Sequence, residues 1–414
     1  MFQTLLPQPP DGLLALIGLF RDDPRNSKID LGVGTYRNAA GVTPVVEAIK
    51  AAERILLDEQ QTKAYLGPEG DQRFVELLTP IVFGAADAHA GRLVGVQTPG
   101  GGGALRLGGE LITTARPGAK VWLGMPTWPN HRPVLEAAGL TVVEYRYFDP
   151  ATQTLCFDNM LAALSAADPG DVVLLHGCCH NPTGAELDPA QWDAMAQLLA
   201  ERGLMPFVDL AYQGLGSGLE ADAYGVRRVL AAVEEALVAY SCDKNFGLYR
   251  ERTGALFVLA RDADAAPVVF GNLLSLARVN WSMPPDHGAA AVRIVLDSPE
   301  LSRLWRTELD GMARRINAVR DALAAAEPRL AFLSRQRGMF SQLPVSPETV
   351  ALLRRDHGIY TAGSGRINLA GLQVADAGIF VDALRAVDGL PKEQSNDSWV
   401  PGPIALPGSA RVPI

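Results

Sequence analysis

The chain has 414 residues, of which 48% are hydrophobic, 20% charged and 7% aromatic, and its 37 basic against 46 acidic residues leave a formal charge of −9. That balance excludes a collagen, a coiled coil and a low-complexity protein, and neither sign of charge is gathered into a run, so no nucleic-acid partner is expected. At about 100 to 200 residues per domain, the length predicts two or three domains, enough to bury sizeable cores, and is the size of an enzyme.

Met1 to Pro10 lacks a basic segment followed by an apolar one, and no uncharged apolar run approaches the roughly 18 residues of a membrane span. A cytoplasmic address and no membrane partner are therefore expected. Cys156, Cys178, Cys179 and Cys242 follow no secreted framework spacing, which predicts reduced thiols and no disulfide.

Along the chain, the run Gly100-Gly101-Gly102-Gly103 precedes a helix-like segment, Ala104 to Thr114, and such a turn presents backbone N–H groups to a phosphate. A nicotinamide dinucleotide site would need spaced glycines directly after a strand and an acidic residue about twenty positions on. Here Val94 to Thr98 offers only a short strand and no such acid stands out, which disfavours a dehydrogenase. Apolar runs at Val121 to Leu123, Val172 to Leu175, Pro206 to Val208, Ala236 to Ala239 and Ala255 to Leu259 alternate with helical patterns. This predicts an α/β fold with a mostly parallel sheet covered on both faces.

Asp188, Pro189 and Gln191 begin a helix whose face is Trp192, Met195, Leu198 and Leu199 and whose end is Gly203. A longer helix starts near Ser298-Pro299, with Leu301, Trp305, Leu309, Met312, Ile316, Val319 and Leu323 repeating at three- and four-residue steps. After Gly338 a smaller α+β domain is predicted, with a helix on Ile379, Val381, Leu384 and Val387. Prolines 391, 401, 403, 407 and 413 make the last stretch an extension, without a helix or central strand.

Several apolar runs end in polar residues that have little reason to be there for packing. His176-Gly177-Cys178-Cys179-His180 combines zinc-ligand types, but a structural site needs four ligands and no second Cys/His pair occurs, so no metal is expected. Asn181-Pro182-Thr183-Gly184 is a turn whose amide can face a crevice. Asp209 follows Val208, with Tyr212 three residues later, and Lys244 lies in Ser241-Cys242-Asp243-Lys244-Asn245-Phe246-Gly247 at another strand end. Together they supply an amine for a Schiff base, a carboxylate to keep a pyridinium nitrogen protonated, and phosphate donors. That combination suits pyridoxal phosphate.

These segments, in this order, resemble the class I aminotransferases, most closely their aspartate and aromatic-amino-acid subgroup. The resemblance runs from about Pro10 to Leu390 and is most specific at Tyr65-Leu66-Gly67, Pro126 to His131, His176 to Gly184, Asp209 to Gly214, Lys244 to Gly254 and Ser364 to Asn368. It implies the fold-type I architecture of pyridoxal-phosphate transferases, with a large domain over 46–311, a small domain from 11–45 and 312–390, and the proline-rich extension 391–414. By resemblance, Lys244 is the Schiff-base lysine and then the base that moves a proton between Cα and C4′. Asp209 pairs with the pyridine nitrogen, backed by His131 and His176, while Asn181 and Tyr212 hold the ring's phenolic oxygen and Trp128 stacks on its face. Ser241, Arg252 and the backbone of Gly101 and Gly102 hold the phosphate, assisted by Tyr65 from a partner subunit. Arg366 clamps the substrate α-carboxylate, Arg278 of a partner subunit receives a side-chain carboxylate, and Gly34 and Met283, with Trp128 and Asn181, border the substrate. A homodimer with shared sites is implied.

The sequence departs from the family pattern where Gly102 replaces a phosphate-binding hydroxyl, where Asp243 replaces a serine before the lysine, and where Met283 replaces an asparagine. Thr35, Arg37 and Ala64 line the same region, and a pocket with fewer fixed polar groups accepts apolar side chains better. The resulting expectation is a ping-pong transaminase exchanging amino groups between an aromatic amino acid, or aspartate and glutamate, and a 2-oxo acid such as 2-oxoglutarate. A strict aspartate aminotransferase is the alternative. A non-catalytic binding protein on the same fold would be expected to lack the lysine.

Overall fold

A computed structural model describes residues 2–7, 12–84, 89 and 91–390. The expected apolar runs all lie in one seven-stranded sheet made of β1 (Leu93–Pro99), β2 (Lys120–Met125), β3 (Thr141–Arg146), β4 (Val172–His176), β5 (Met205–Leu210), β6 (Ala236–Ser241) and β7 (Thr253–Leu259). Its order is β1-β7-β6-β5-β4-β2-β3, with β7 antiparallel to both neighbours and the other pairings parallel. Strands β6 and β7 are buried along their whole length, because helices cover both faces, and they read as continuous apolar runs for that reason. The edge strand β3, Thr-Val-Val-Glu-Tyr-Arg, is partly exposed and carries no such run, so the sequence pattern does not single it out.

Register decides which side chains meet. His176 pairs with Asp209, Asp209 with Ala239, and Ser241 with Gly254, so the carboxyl ends of β4, β5 and β6 share one edge of the sheet. Because β7 is antiparallel, it begins at that edge, which delivers Arg252 there from the residue just before the strand. The helix Gly100–Ala115 starts at the same edge, directly after β1. The sequence suggests a glycine turn before a helix; in the fold the glycines are the helix's own first turn.

Capping chemistry sets the helix after β4. Asp188 accepts from the Gln191 amide at 2.8 Å while the Gln191 side chain accepts from the Asp188 amide at 3.0 Å, and Gly203 closes the helix Pro189–Arg202. The long helix is Pro299–Ala326, 28 residues, with the Ser298 hydroxyl capping Leu301. Its first half buries Trp305, Leu309, Met312 and Ile316 in one core with β5 and β6. Its second half buries Val319 and Leu323 in a separate core with Leu330, Ile359, Ile367, Phe380 and Leu384. One helix thus spans two cores.

In the second core, Ile29–Asp30 pairs in parallel with Ile359–Tyr360, and Phe340–Gln342 pairs antiparallel with Arg366–Asn368. The helix predicted near Ile379 is Ala377–Ala386, but Ile379 is 60% exposed and Phe380, Val381 and Leu384 face inward. The extension 391–414 lies outside the described residues. Among the described residues, no helix is long and apolar enough to cross a membrane.

Arg320 joins the long helix to the segment that leads into Phe340. It is fully buried and donates to the carbonyls of Leu333, Arg337, Gly338 and Phe340 at 3.3, 3.2, 2.7 and 2.6 Å. Burial pulls its guanidinium down to about 9, so these bonds offset a large desolvation cost. Removing the donor leaves several buried acceptors unpaired at about 1 to 3 kcal/mol each. Arg320→Met should therefore destabilise the protein by roughly 3 kcal/mol or more. An unchanged midpoint in urea unfolding would refute this role.

Candidate active site

Asp209 sits near the carboxyl end of β5 with its carboxylate buried. Its Oδ2 lies 2.9 Å from His131 Nε2, His131 Nδ1 lies 2.7 Å from Thr127 Oγ1, and that oxygen lies 3.0 Å from His176 Nε2. A carboxylate only accepts, so Nε2 of His131 carries the proton, Nδ1 accepts from the Thr127 hydroxyl, and that hydroxyl accepts from His176. Burial holds His176 down at about 3, with His131 adding to it, which keeps His176 neutral as a donor. Burial also pushes Asp209 up, but the hydrogen bond from His131, with the positive charge of Lys244 adding to it, outweighs burial and leaves the carboxyl below its ordinary value. The relay thus keeps Asp209 an anion in a buried site.

A lowered carboxyl contributes stability above its unfolded pKa and loses it as pH falls through the folded one. His131→Phe removes the lowering partner and leaves burial to dominate. The variant should then be less stable than the wild type near neutral pH, and the gap should narrow as pH falls through the carboxylate range; a gap that does not change with pH would exclude the relay as the cause.

Lys244 follows β6 and is partly buried. Burial pulls its amine below the ordinary value, against the opposing charge of Asp243. Its Nζ stands 5.6 Å from the centre of the Tyr212 ring and 3.7 Å from Asp243 Oδ2. Asp243 therefore turns inward, with a side chain only 3% exposed, and forms a short ion pair with Arg252 Nη1. Ser241 Oγ accepts from the Asp243 amide at 3.2 Å. The helix start closes on this group so tightly that a Cβ at Gly101 would come within 3.1 Å of Ser241 Cβ. Glycine there lets the backbone amides approach whatever lies above Ser241.

Opposite, Asn181 Nδ2 donates to the Tyr212 hydroxyl at 3.3 Å, and burial keeps that phenol protonated. Asn181 Oδ1 is buried without a partner among the described residues. Trp128 meets His131 edge-on, with ring centres 5.2 Å apart. Gly101, Gly102, Trp128, His176, Asn181, Asp209, Tyr212, Ser241, Lys244 and Arg252 all line one cavity. His131 backs it through Asp209.

The remaining expected residues lie outside that cavity's lining. Arg366 is buried on the strand beside Phe340, with its guanidinium 4.6 Å from that ring, Nη2 on the Gly32 carbonyl at 2.7 Å, and Nε without a partner. The backbone at Gly34 approaches the same ring so closely that a Cβ would come to 2.9 Å. Asn368 ties this loop down through the carbonyls of Val33 and Thr35, at 2.6 and 2.7 Å. Arg278 is exposed at the end of the helix Ala265–Asn280 and donates to Ser282 Oγ. Met283 Sδ accepts from the Leu66 amide at 3.1 Å, next to Tyr65, which is 93% exposed. Tyr65 and Arg278 thus project from the surface of the chain.

Sequence reasoning assigns no role to Thr127, although it lies in the stretch Pro126 to His131; a hydroxyl four residues before a histidine is the signal that points to it. The Cys/His stretch is a packed turn. Cys178, Cys179 and Asp222 bring possible ligand atoms within 4.8 Å of one another, yet both Asp222 oxygens already accept from Gly214, Gly216 and Ser217 amides.

The residue set fits a phosphorylated pyridine aldehyde. A buried carboxylate held as an anion suits a ring nitrogen, the Asn181 amide nitrogen and the Tyr212 hydroxyl offer donors to a ring oxygen, and a glycine-lined helix start faces a serine and an arginine. The family described as aminotransferase class I and II matches residues 26–384. The tyrosine aminotransferase of Rhizobium meliloti (strain 1021) is 53% identical over 382 residues, covering 91% of this chain and 97% of that protein. The aspartate aminotransferase of Escherichia coli (strain K12) is 40% identical over 395 residues, covering 94% and 100%. The structure of an aromatic-amino-acid aminotransferase from Burkholderia pseudomallei, covalently bound to pyridoxal phosphate, superposes with a TM-score of 0.91 at 39% identity, covering 94% of this chain and 99% of that one.

Proposed function

The chain belongs to the class I and II aminotransferases, pyridoxal-phosphate enzymes, and from that premise we propose that it transfers the amino group of an aromatic amino acid, and also of aspartate or glutamate, to a 2-oxo acid such as 2-oxoglutarate. The observation that carries the reading is the convergence of Lys244, Asp209 and the Asn181–Tyr212 pair on one cavity. Likeness to the tyrosine enzyme supports the aromatic donor.

When bound, the cofactor supplies an aldehyde that exchanges for the substrate amine and a cationic ring that takes up the electrons of the Cα–H bond. The side chains do the rest. Asp209 holds a proton on the ring nitrogen, because its charge is maintained by His131. Asn181 and the Tyr212 hydroxyl would donate to the ring oxygen, Trp128 would pack on the ring, and Ser241, Arg252 and the amides of Gly101 and Gly102 would hold the phosphate. The Lys244 amine, drawn down by burial, would take and hold the proton leaving the substrate Cα. Arg366 and the backbone at Gly34 orient the α-carboxylate, which sets that proton within reach.

The active unit is a homodimer with shared sites. The exposure of Tyr65 and Arg278, away from the cavity of their own protomer, supports this. The free cysteines among the described residues fit a cytoplasmic enzyme. Two measurements test the reading. Steady-state rates across a panel of donors should rank phenylalanine and tyrosine at or above aspartate; turnover of aspartate alone would replace it with a strict aspartate aminotransferase. Lys244→Ala co-expressed with Arg278→Ala should regain activity with dicarboxylates, since one site of the hybrid is then intact. Lys244→Ala with Arg366→Ala should stay inactive, and silence of both pairings would count against sharing.

A further inference from the structure

We propose that Asp243 is a resident counter-ion of the phosphate cup, one that the cofactor's phosphate must displace from Arg252 or lie beside. Its side chain is 3% exposed and pairs with Arg252 Nη1, the same guanidinium that borders the cavity. Its second oxygen, Oδ1, is buried without a partner among the described residues. The pair is pressed against the helix start, where a Cβ at Gly100 would come within 2.8 Å of Arg252 Nη2 and 3.2 Å of Asp243 Oδ2. The carboxylate therefore cannot leave toward the helix.

A phosphate monoester carries a charge of about −1.5 to −2, and its affinity depends on unopposed positive charge and N–H donors. Here one of the cup's two nearby cations is already neutralised, and Gly102, where a Cβ would meet nothing within 4 Å, contributes no hydroxyl. Retention of the cofactor must then lean on its covalent link to Lys244. The amine form, which lacks that link, is held by the cup alone and is released more readily.

The inference rests on the cofactor assignment and is independent of which amino acid is the donor. Apoenzyme of the full chain would be titrated with pyridoxal phosphate, pyridoxamine phosphate, inorganic phosphate and unphosphorylated pyridoxal, and compared with Asp243→Ser and the isosteric Asp243→Asn. Both substitutions should tighten the three phosphate-bearing probes by tenfold or more and shift pyridoxal, which meets only the Lys244 amine that Asp243 faces at 3.7 Å, by distinctly less. Equal or weaker phosphate binding in the isosteric variant would overturn the proposal, as would an equal gain for pyridoxal, which would place the effect on Lys244. Failure of the wild type to bind pyridoxal phosphate at all would instead count against the cofactor assignment.

Discussion

Lys244→Ala should reduce transamination by several orders of magnitude while leaving the protein able to take up pyridoxal phosphate without a covalent bond. The expected size follows from the role proposed for the amine, in which both the attachment and the proton transfer pass through one Nζ. The fold also commits that atom to its place. Trp305 Nε1 donates to the Asn245 carbonyl at 2.8 Å, its ring stacks on Phe246 at 4.3 Å, and the Asn245 amide donates to the Tyr240 hydroxyl at 2.9 Å. The two residues after Lys244 are thereby locked into the core while its own side chain reaches the cavity. Other lysines are engaged elsewhere: Lys28 on the carbonyls of Phe20 and Asp23, and Lys120 on Asp168. Borohydride reduction of the loaded enzyme, followed by peptide mapping, should label Lys244, and a label on another lysine would refute the assignment.

The site was legible in the sequence where chemistry and position coincide. Asp209, Lys244 and Asn181 each follow an apolar run, and polar groups at the carboxyl end of buried strands have few roles in packing. Strand β3 was not legible, since an edge strand with Glu144 and Arg146 in it shows neither a continuous apolar run nor a clean alternation. The direction of Asp243 was equally hidden. An acid beside a lysine can face solvent or the interior, and the choice is made by Arg252, which only the antiparallel insertion of β7 brings to that edge. Arg320 looks like one more basic residue of an amphipathic helix, yet the fold wraps the segment from Leu333 to Phe340 around it. Such partners lie on separate elements, and local pattern carries no trace of them.

A site that serves both dicarboxylates and aromatic amino acids must offer a charge to one and withdraw it from the other, and the two arginines are built differently in this respect. Arg366 is enclosed: it packs on Phe340, holds the Gly32 carbonyl and has a buried Nε without a partner among the described residues. Breaking a buried, hydrogen-bonded charge pair costs about 2 to 5 kcal/mol, so Arg366→Leu should lower kcat/KM for every amino donor by roughly 10² to 10³. Arg278 is exposed and, among the described residues, its guanidinium is held by a single bond, to the hydroxyl of Ser282, a residue at φ 67° just past the helix end. Little opposes its swinging away, which matters because an arginine left buried and unpaired against an aromatic ring would carry a large penalty. Trp281 and Met283 flank that same turn and offer an aromatic side chain an apolar surface with a flexible thioether. Arg278→Leu should therefore cut kcat/KM for aspartate on the order of 10²-fold or more and change that for phenylalanine or tyrosine by less than about tenfold. Equal losses for both classes would mean that one fixed arrangement of the pocket serves both, and the two-mode account would fall.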